Sequence, residues 1–396
     1  MTYGGDYGGE PRPAPRGPRQ HQRAQMLPIP GREQPPARRE AYQPPREEQH
    51  MPPQQTLRAP VPPRGPEAPP RPPMRERPPR RPRRWSFGKV LLSLLMVFVV
   101  FLAGVWVYLE FSITRIDALA DYEGRPAAAE GTNWLVVGSD SRAGLDPEDE
   151  ARLSTGDTAG QRTDTIMVAH IPDNDTPPTL LSLPRDSQVK IPGHGTNKIN
   201  AAFSFGGPQL LAKTVEGATG LRIDHYAEIG FGGFANIVDA IGGVEMCLET
   251  EMNDSMTGAK LAAGCQELDG AQALSFVRMR YSSATPRSDL DRVANQRKFI
   301  GAMVSEMASP ATLLNPFYLF PLLSEAPEAL TMDEGDHLHN LVGLAIAMRG
   351  ISSGGVVTTT VPVTSASAEN WDKKKSEQLF DALKNDTAIP DSVIVN

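Results

Sequence analysis

Apolar residues are unevenly spaced along the 396-residue chain, and their spacing predicts most of its elements. Residues 90–109, VLLSLLMVFVVFLAGVWVYL, form an uncharged apolar run that would be about 30 Å long as a helix, the thickness of a bilayer's hydrocarbon core. The run predicts a transmembrane helix; it is too long for the apolar core of a cleaved signal peptide and begins deep in the chain. Beyond Gly131, the strand-like runs NWLVVG (Asn133–Gly138), RTDTIMVAHI (Arg162–Ile171) and TLLSL (Thr179–Leu183) are separated by the turns SDSRAG and PDNDTP. If neighbours pair antiparallel, the end of the first strand, the start of the second and the end of the third share one edge. That edge collects Asp140, Arg142, Arg162, Asp164 and Arg185, which span 46 positions. Further on, GGPQLLAKTVEGATG predicts a helix closed by glycine, HYAEIGF a strand, GFANIVDAIGGVEMCL a helix and then a strand, and LDGAQALSF a short helix running into the strand FVRMR. Residues 289–307, 336–349 and 373–384 predict helices and Val356–Val363 a late strand. The alternation gives an α/β (α+β) class, with a central mixed, largely antiparallel sheet flanked by helices.

Composition divides the chain. The first 84 residues hold 23 of the 38 prolines and almost no apolar periodicity, so they cannot bury enough surface to offset chain ordering. The expected plan is a disordered cytoplasmic tail over 1–84, the transmembrane helix with its basic flank over 85–111, a linker over 112–131 and an exported domain over 132–396. Arg75, Arg77, Arg80, Arg81, Arg83, Arg84 and Lys89 precede the apolar run, which keeps the tail inside and exports the rest. Trp85 and Trp106 suit the two interfacial belts. Residues 1–89 carry 18 Lys and Arg against 8 Asp and Glu; the remainder carries 22 against 39, which argues against a nucleic-acid partner. The basic tail suits attraction to an anionic membrane surface and the setting of topology, with a specific partner as the other reading. Cys247 and Cys265 both lie in the exported part, where a disulfide is expected over a metal pair or a catalytic thiol; no histidine lies near them in sequence to complete a zinc site.

The segment FVRMRYSSATPRSDLDRVANQR (Phe276–Arg297) packs five arginines and two aspartates into 22 residues. Strand periodicity puts Arg278 and Arg280 on one face. Ser288 and Asp291 have capping-box spacing. Asp289, Arg292 and Gln296, at i, i+3 and i+7, fall within an arc of about 60° on the following helix. Leu290, Val293, Arg297, Ile300 and Val304 trace a second, mostly apolar stripe. Surface ion pairs, each worth about 0–1 kcal/mol, do not call for so many arginines on so few elements. Gripping a phosphate or pyrophosphate does, because guanidinium forks bind its oxygens bidentately and stay charged. Asp140 and Asp164 at the rim of the same sheet offer hard oxygen ligands to Mg²⁺, and the combination fits phosphoryl transfer. The chain has no Walker A loop, HExxH or GxSxG, and its seven histidines are scattered.

The motifs GSDSR, RTDTIMVAHI, LSLPRD, KINAAFSFGG, LDGAQALSFVRMR and SDLDRVANQ, in this order behind one apolar run, resemble the LytR-CpsA-Psr family over about residues 132–305. The resemblance implies an extracytoplasmic phosphotransferase that moves a glycopolymer from a polyprenyl-pyrophosphate carrier onto a peptidoglycan hydroxyl, leaving a phosphodiester link. It implies that Asp140 and Asp164 lie near Mg²⁺. Arg162, Arg185, Arg278, Arg280 and Arg292 would hold the pyrophosphate, with Arg142 at the same edge, and Asp289 and Gln296 would belong to the catalytic face. Asp289 is the preferred base and Asp164 the second, with Arg278 and Arg280 beside the reacting phosphate. Where the family pattern around the helix reads D-x-G-R-x-x-R-Q, this chain has Asp291 for the glycine and Asn295 for the second arginine, one phosphate grip fewer. The pairing of Cys247 with Cys265 resembles disulfides of actinobacterial members. Phe231, Phe234, Ile237, Leu313, Leu314, Phe317, Leu319 and Phe320 are candidates by type for a prenyl cavity, and each also suits an ordinary core. A membrane-tethered glycan-binding regulator without turnover, and a hydrolase that uses water as acceptor, remain as alternative readings.

Overall fold

The computed structural model describes residues 87–140, 152–153, 163–365 and 367–395, so the expected tail over 1–84 lies outside the described residues. The apolar run lies within helix α1 (Phe87–Ser112), whose side chains are exposed; among the described residues it alone is long and apolar enough to cross a membrane. After it come β1 (Thr114–Ile116), β2 (Thr132–Ser139), β3 (Thr163–Ile171), β4 (Thr179–Ser182), β5 (Gln188–Ile191), β6 (Gly195–Lys198), α2 (Ile199–Thr219), β7 (His225–Gly230) and α3 (Phe231–Ala240). The short strands β8 (Val244–Leu248), β9 (Met252–Asp254), β10 (Ala259–Leu261) and β11 (Gly264–Leu268) lead into α4 (Gly270–Arg278), α5 (Asp289–Met307), α6 (Pro310–Leu314) and α7 (Pro316–Ala329). The chain finishes with β12 (Leu330–Asp333), α8 (Leu338–Met348), β13 (Val357–Thr360) and α9 (Lys373–Lys384).

Seven strands form the central sheet in the order β1-β12-β7-β2-β3-β4-β13. The expected meander is present, with β2 antiparallel to β3 and β3 to β4. The sheet is mixed, but evenly so rather than largely antiparallel: β7–β12 is the third antiparallel pair, whereas β2–β7, β1–β12 and β4–β13 are parallel. Each parallel pair joins strands far apart in sequence, which hairpin turns cannot connect. Both faces of the meander are covered, so its strands read as continuous apolar runs. Leu135, Val137, Ile166, Val168 and Leu181 pack under α2 and α9, and Trp134, Met167, Ala169 and Leu180 pack with Met332 and with Leu338 and Met348 of α8. A separate cluster joins α3, α4 and α5 to the strands β8 to β11. There Cys247 and Cys265 are register partners across an antiparallel pair and form the expected disulfide.

Two expectations change. Residues 112–131 are more than a linker, because β1 extends the main sheet, Asp333 accepts hydrogen bonds from the amides of Ala118 and Leu119, and Arg125 pairs with buried Glu216. FVRMR is not a strand. Helix α4 starts at a capping box between Asp269 and Gln272, buries Ala273, Leu274 and Phe276 with helical spacing, and runs to Arg278 before Met279 turns extended. Arg278 and Arg280 therefore do not share a strand face.

Candidate active site

The site is built at one end of the meander. Gly138 pairs with Thr165, but Ser139 pairs with Thr163, so Asp164 is the extra residue of a β-bulge. A bulge breaks the alternation of side chains and re-aims the inserted one. Gly138 permits it, since a Cβ there would stand 3.0 Å from that of Thr165. Asp164 contacts the guanidinium of Arg185, which follows β4 on the same edge, and Arg185 also approaches Asp186 at 3.6 Å. Asp140, directly after Ser139, belongs to the same sheet end. Arg142 and Arg162 lie outside the described residues.

Helix α5 supplies the opposite wall. Asp289 opens it, with Oδ1 2.9 Å from Nη2 of Arg292 and 3.1 Å from Nη2 of Arg280. Gln296, two turns on, donates to the carbonyl of Val277 at 3.1 Å and ties α5 to the end of α4. The expected polar face of α5 is thus present. The capping box is not: Ser288 has φ 50° and makes no side-chain cap, while Asp291 accepts from both the backbone amide and Nε of Arg287 at 2.7 Å. A serine in the left-handed region costs conformational energy, and here it directly precedes Asp289.

Electrostatics bind the two walls together. Burial raises the Asp164 carboxyl, but Arg185, Arg292 and Arg280 outweigh it and hold Asp164 below the usual carboxylate range. Burial, together with the charges of Arg185 and Arg280 and against those of Asp289 and Asp164, pushes Arg292 down to about 10. Three guanidinium groups thus converge on Asp164 and Asp289. Several buried atoms among them make no aligned hydrogen bond: Nε of Arg185, Nη2 of Arg280, Nε and Nη2 of Arg292 and Oδ1 of Asp289, the Nη2 atoms and Oδ1 being ion-paired with one another; nor do the hydroxyls of Ser139 and Thr163. Native interiors leave few such groups, and a cluster of them is suited to a polar ligand, an ion or water.

Arg278 is placed differently. Its guanidinium lies 4.8 Å over the ring of Phe231, and Phe231 borders an apolar cavity together with Val136, Val137, Phe234, Leu274, Ile300 and Met303. Gln296 also borders that cavity, so polar site and apolar space meet on α5. Of the prenyl-cavity candidates, Phe231 and Phe234 line it; Ile237 is buried in the adjoining core, Leu319 is half-buried, and Leu313, Leu314, Phe317 and Phe320 are exposed.

The sequence pattern of the LytR_cpsA_psr family matches residues 112–387. The chain belongs to this family. The probable cell wall biosynthesis protein LcpB of Corynebacterium glutamicum is 51% identical over 304 residues, 75% of this chain and 70% of its own. The polyisoprenyl-teichoic acid–peptidoglycan teichoic acid transferase TagU of Enterococcus faecalis is 38% identical over 173 residues, 43% of this chain and 54% of its own, so the chain spans about half of that relative. The LytR-Csp2A-Psr enzyme from Actinomyces oris shares the fold, with a TM-score of 0.55 at 21% identity over 69% of this chain and 96% of the other.

In this LytR_cpsA_psr chain, one site residue escaped sequence reading. Asp186 lies beside Arg185 and holds Nζ of Lys198 at 2.8 Å; burial raises its carboxyl, but Lys198, Arg185 and a hydrogen bond with Asp289 bring it below the usual range. The signal was the PRD triplet itself, where the aspartate reads as an ordinary turn residue. Asn295, standing where the family pattern has arginine, leaves its buried Nδ2 unpartnered. For Mg²⁺, the relevant donors are all hard oxygens: Asp164 kept ionised and re-aimed by the bulge, Asp140 at the same sheet end, and the unpartnered hydroxyls of Ser139 and Thr163. That set fits an ion that takes one or two carboxylates and completes its shell with water and phosphate oxygens.

Proposed function

We propose that this chain is a phosphotransferase of cell-wall assembly that moves a glycopolymer from a polyprenyl-pyrophosphate carrier to a sugar hydroxyl of peptidoglycan. The observation that carries this reading is the convergence of Arg185, Arg280 and Arg292 on Asp164 and Asp289, beside an apolar cavity that shares Gln296 with the site. Such a site takes a ligand that is a multivalent anion at one end and a hydrocarbon at the other. The name of TagU supports the same class of reaction, and that of LcpB a role in cell wall biosynthesis.

In the mechanism, the three arginines hold the pyrophosphate oxygens and offset the charge that grows on them as the bridging bond breaks. An acceptor hydroxyl forms a P–O bond to the glycan-proximal phosphorus, and the bond from that phosphorus to the bridging oxygen breaks. The products are a glycan phosphodiester and polyprenyl phosphate. Asp289 accepts the hydroxyl proton, because the diphosphate takes over the guanidinium groups that now face its carboxylate. Asp164, held ionised by its arginines, serves better as an anionic ligand than as a base. Mg²⁺, held by Asp140 and Asp164, would neutralise phosphate charge. Arg278, stacked on Phe231 at the cavity, positions the donor where phosphate gives way to prenyl. The helix α1 would anchor the chain as a single span with residues 1–84 cytoplasmic and the folded domain outside.

The test is to incubate the purified full chain with a polyprenyl-pyrophosphate glycan and a peptidoglycan oligomer, with Mg²⁺ or with EDTA, and to follow products by mass. Metal-dependent joining of glycan to oligomer is expected. Binding without product would overturn the reading in favour of a tethered binder, and glycan phosphate released without joining would indicate a hydrolase.

A further inference from the structure

Outside α1, the large apolar side chains exposed among the described residues are not scattered. Of ten, seven fall between Leu313 and Ile346, on α6, α7 and α8. Leu314 and Phe317 are each 83% exposed, and Ile346 58%. These helices are also uncharged where they are bare: no Asp, Glu, Lys or Arg occurs between Glu306 and Glu325, or between Asp336 and Arg349. Helix α8 buries Leu338 and Met348 in the core yet presents Val342 and Ile346, spaced i and i+4, to the outside. A helix apolar on both faces has to be covered on both, and the folded chain covers only one.

The bare faces adjoin the membrane helix. Both α7 and α8 pack against α1. Trp106 of α1 borders one notch with Arg115, His337 and His339, which sets the start of α8 level with an interfacial tryptophan. Side chains that flank a span at the depth of its aromatic belt meet lipid rather than bulk water.

Given that α1 spans the bilayer, we propose that the exposed apolar side chains of α6, α7 and α8 are seated in the bilayer leaflet from which α1 emerges. The folded domain would then be partly embedded rather than suspended on a tether, and its occupant is the acyl-chain region of that leaflet. An apolar surface with a polar remainder and no charge across its face is the pattern of an in-plane membrane contact.

The test uses the full chain reconstituted in phospholipid vesicles, with one environment-sensitive fluorophore per variant on Phe317→Cys, Ile346→Cys, Asp175→Cys or Leu95→Cys; the native cysteines are paired and do not react. Phe317, Ile346 and Asp175 are exposed, so the labels leave the core intact, and Asp175 lies in the β3–β4 turn at the sheet end opposite the site. Quenching at positions 317, 346 and 95 by nitroxide-bearing lipid, with shielding from aqueous iodide, and the reverse at 175, is the expected result. Iodide quenching at 317 and 346 while 95 stays in lipid would overturn the embedded surface and leave the span standing. Iodide quenching at 95 as well would overturn the span and the proposal together. Shielding of 317 and 346 from both quenchers would mean that protein covers the face, and would also overturn the proposal.

Discussion

Arg292 is the most buried cation of the site, 2% exposed and pressed between a carboxylate partner and two further guanidinium groups. Burial and the like charges of Arg185 and Arg280 outweigh what Asp289 and Asp164 return, so the charged guanidinium is held there at a net cost. On the proposed function, its use is the charge it offers to the diphosphate. Replacing Arg292 or Arg280 by Ala is expected to lower kcat for glycan transfer on the order of 10³-fold, the scale of a lost arginine at a phosphoryl centre. Lysine should not restore it, because a point charge cannot grip two oxygens. The transfer assay with a parallel thermal melt checks this: a fall in kcat without a fall in melting temperature is expected. A second residue-scale device positions Arg280. Buried Asp254 accepts the amides of Arg280 at 2.9 Å and Tyr281 at 3.0 Å, fixing the segment that carries the guanidinium. Burial raises its carboxyl, but these bonds and those from Met256 and Thr257 hold it below the ordinary value of 3.8. A carboxyl depressed on folding stabilises fully above its unfolded pKa, and that stability is lost as pH falls through the lower folded value. Asp254→Asn should therefore melt below the parent chain at neutral pH, with the gap closing as the pH drops beneath about 4. Melting curves across pH 2 to 7 measure it.

At the scale of elements, the contact between α3 and α4 is closed by small residues. A Cβ on Gly270, the first residue of α4, would stand inside the van der Waals envelope of the Ala235 carbonyl oxygen on α3. Gly270→Ala should cost about 1–3 kcal/mol by overpacking, read from the denaturant midpoint. It should also weaken donor binding, because Phe231 on α3 and Arg278 on α4 face each other across that joint. The meander, by contrast, was legible in the sequence. Three local strands with short or bounded connections leave little choice of partner, so the common edge of Asp164 and Arg185 followed from alternation and antiparallel pairing alone. Helix α5 was legible for the same kind of reason: an apolar stripe at helical spacing set its bounds and put Asp289, Arg292 and Gln296 on one side. Arg278 was misread because VRMR alternates like a strand, while the capping box at Asp269 and the buried Ala273, Leu274 and Phe276 extend the helix through it. The bulge at Asp164 was invisible, since one extra residue in a strand changes register without changing composition. The strands β1 and β12, three and four residues long, carry too little periodicity to be seen; only the tertiary fold brings them together as neighbours.

For the molecule as a whole, the decisive contact joins the apolar helix α1 to the rest of the folded chain. The Glu110 carboxylate, near the end of α1, accepts Nη2 of Arg115 at 2.6 Å, faces Nδ1 of His337 at 2.8 Å and accepts the amide of Leu338 at 2.9 Å, so an anion caps the N-terminus of α8. Asp336, just before that helix, contacts His225 and accepts the amide of Tyr226 on β7. Strand β7 then runs to Gly230 and Phe231 at the cavity. One chain of bonds thus links α1 to the wall of the apolar cavity; on the proposed function, with α1 as the span, it would fix how the site is presented to lipid. Glu110→Ala removes the first link without touching the arginine cluster. Its expected effect is selective: turnover of a polyprenyl-linked donor embedded in vesicles should fall, while turnover of the same donor in detergent micelles, where the domain needs no fixed tilt, should be unchanged. Equal losses in both media would mean that Glu110 supports the fold of the domain rather than its orientation, and no loss in either would mean that the junction does not govern access to the donor.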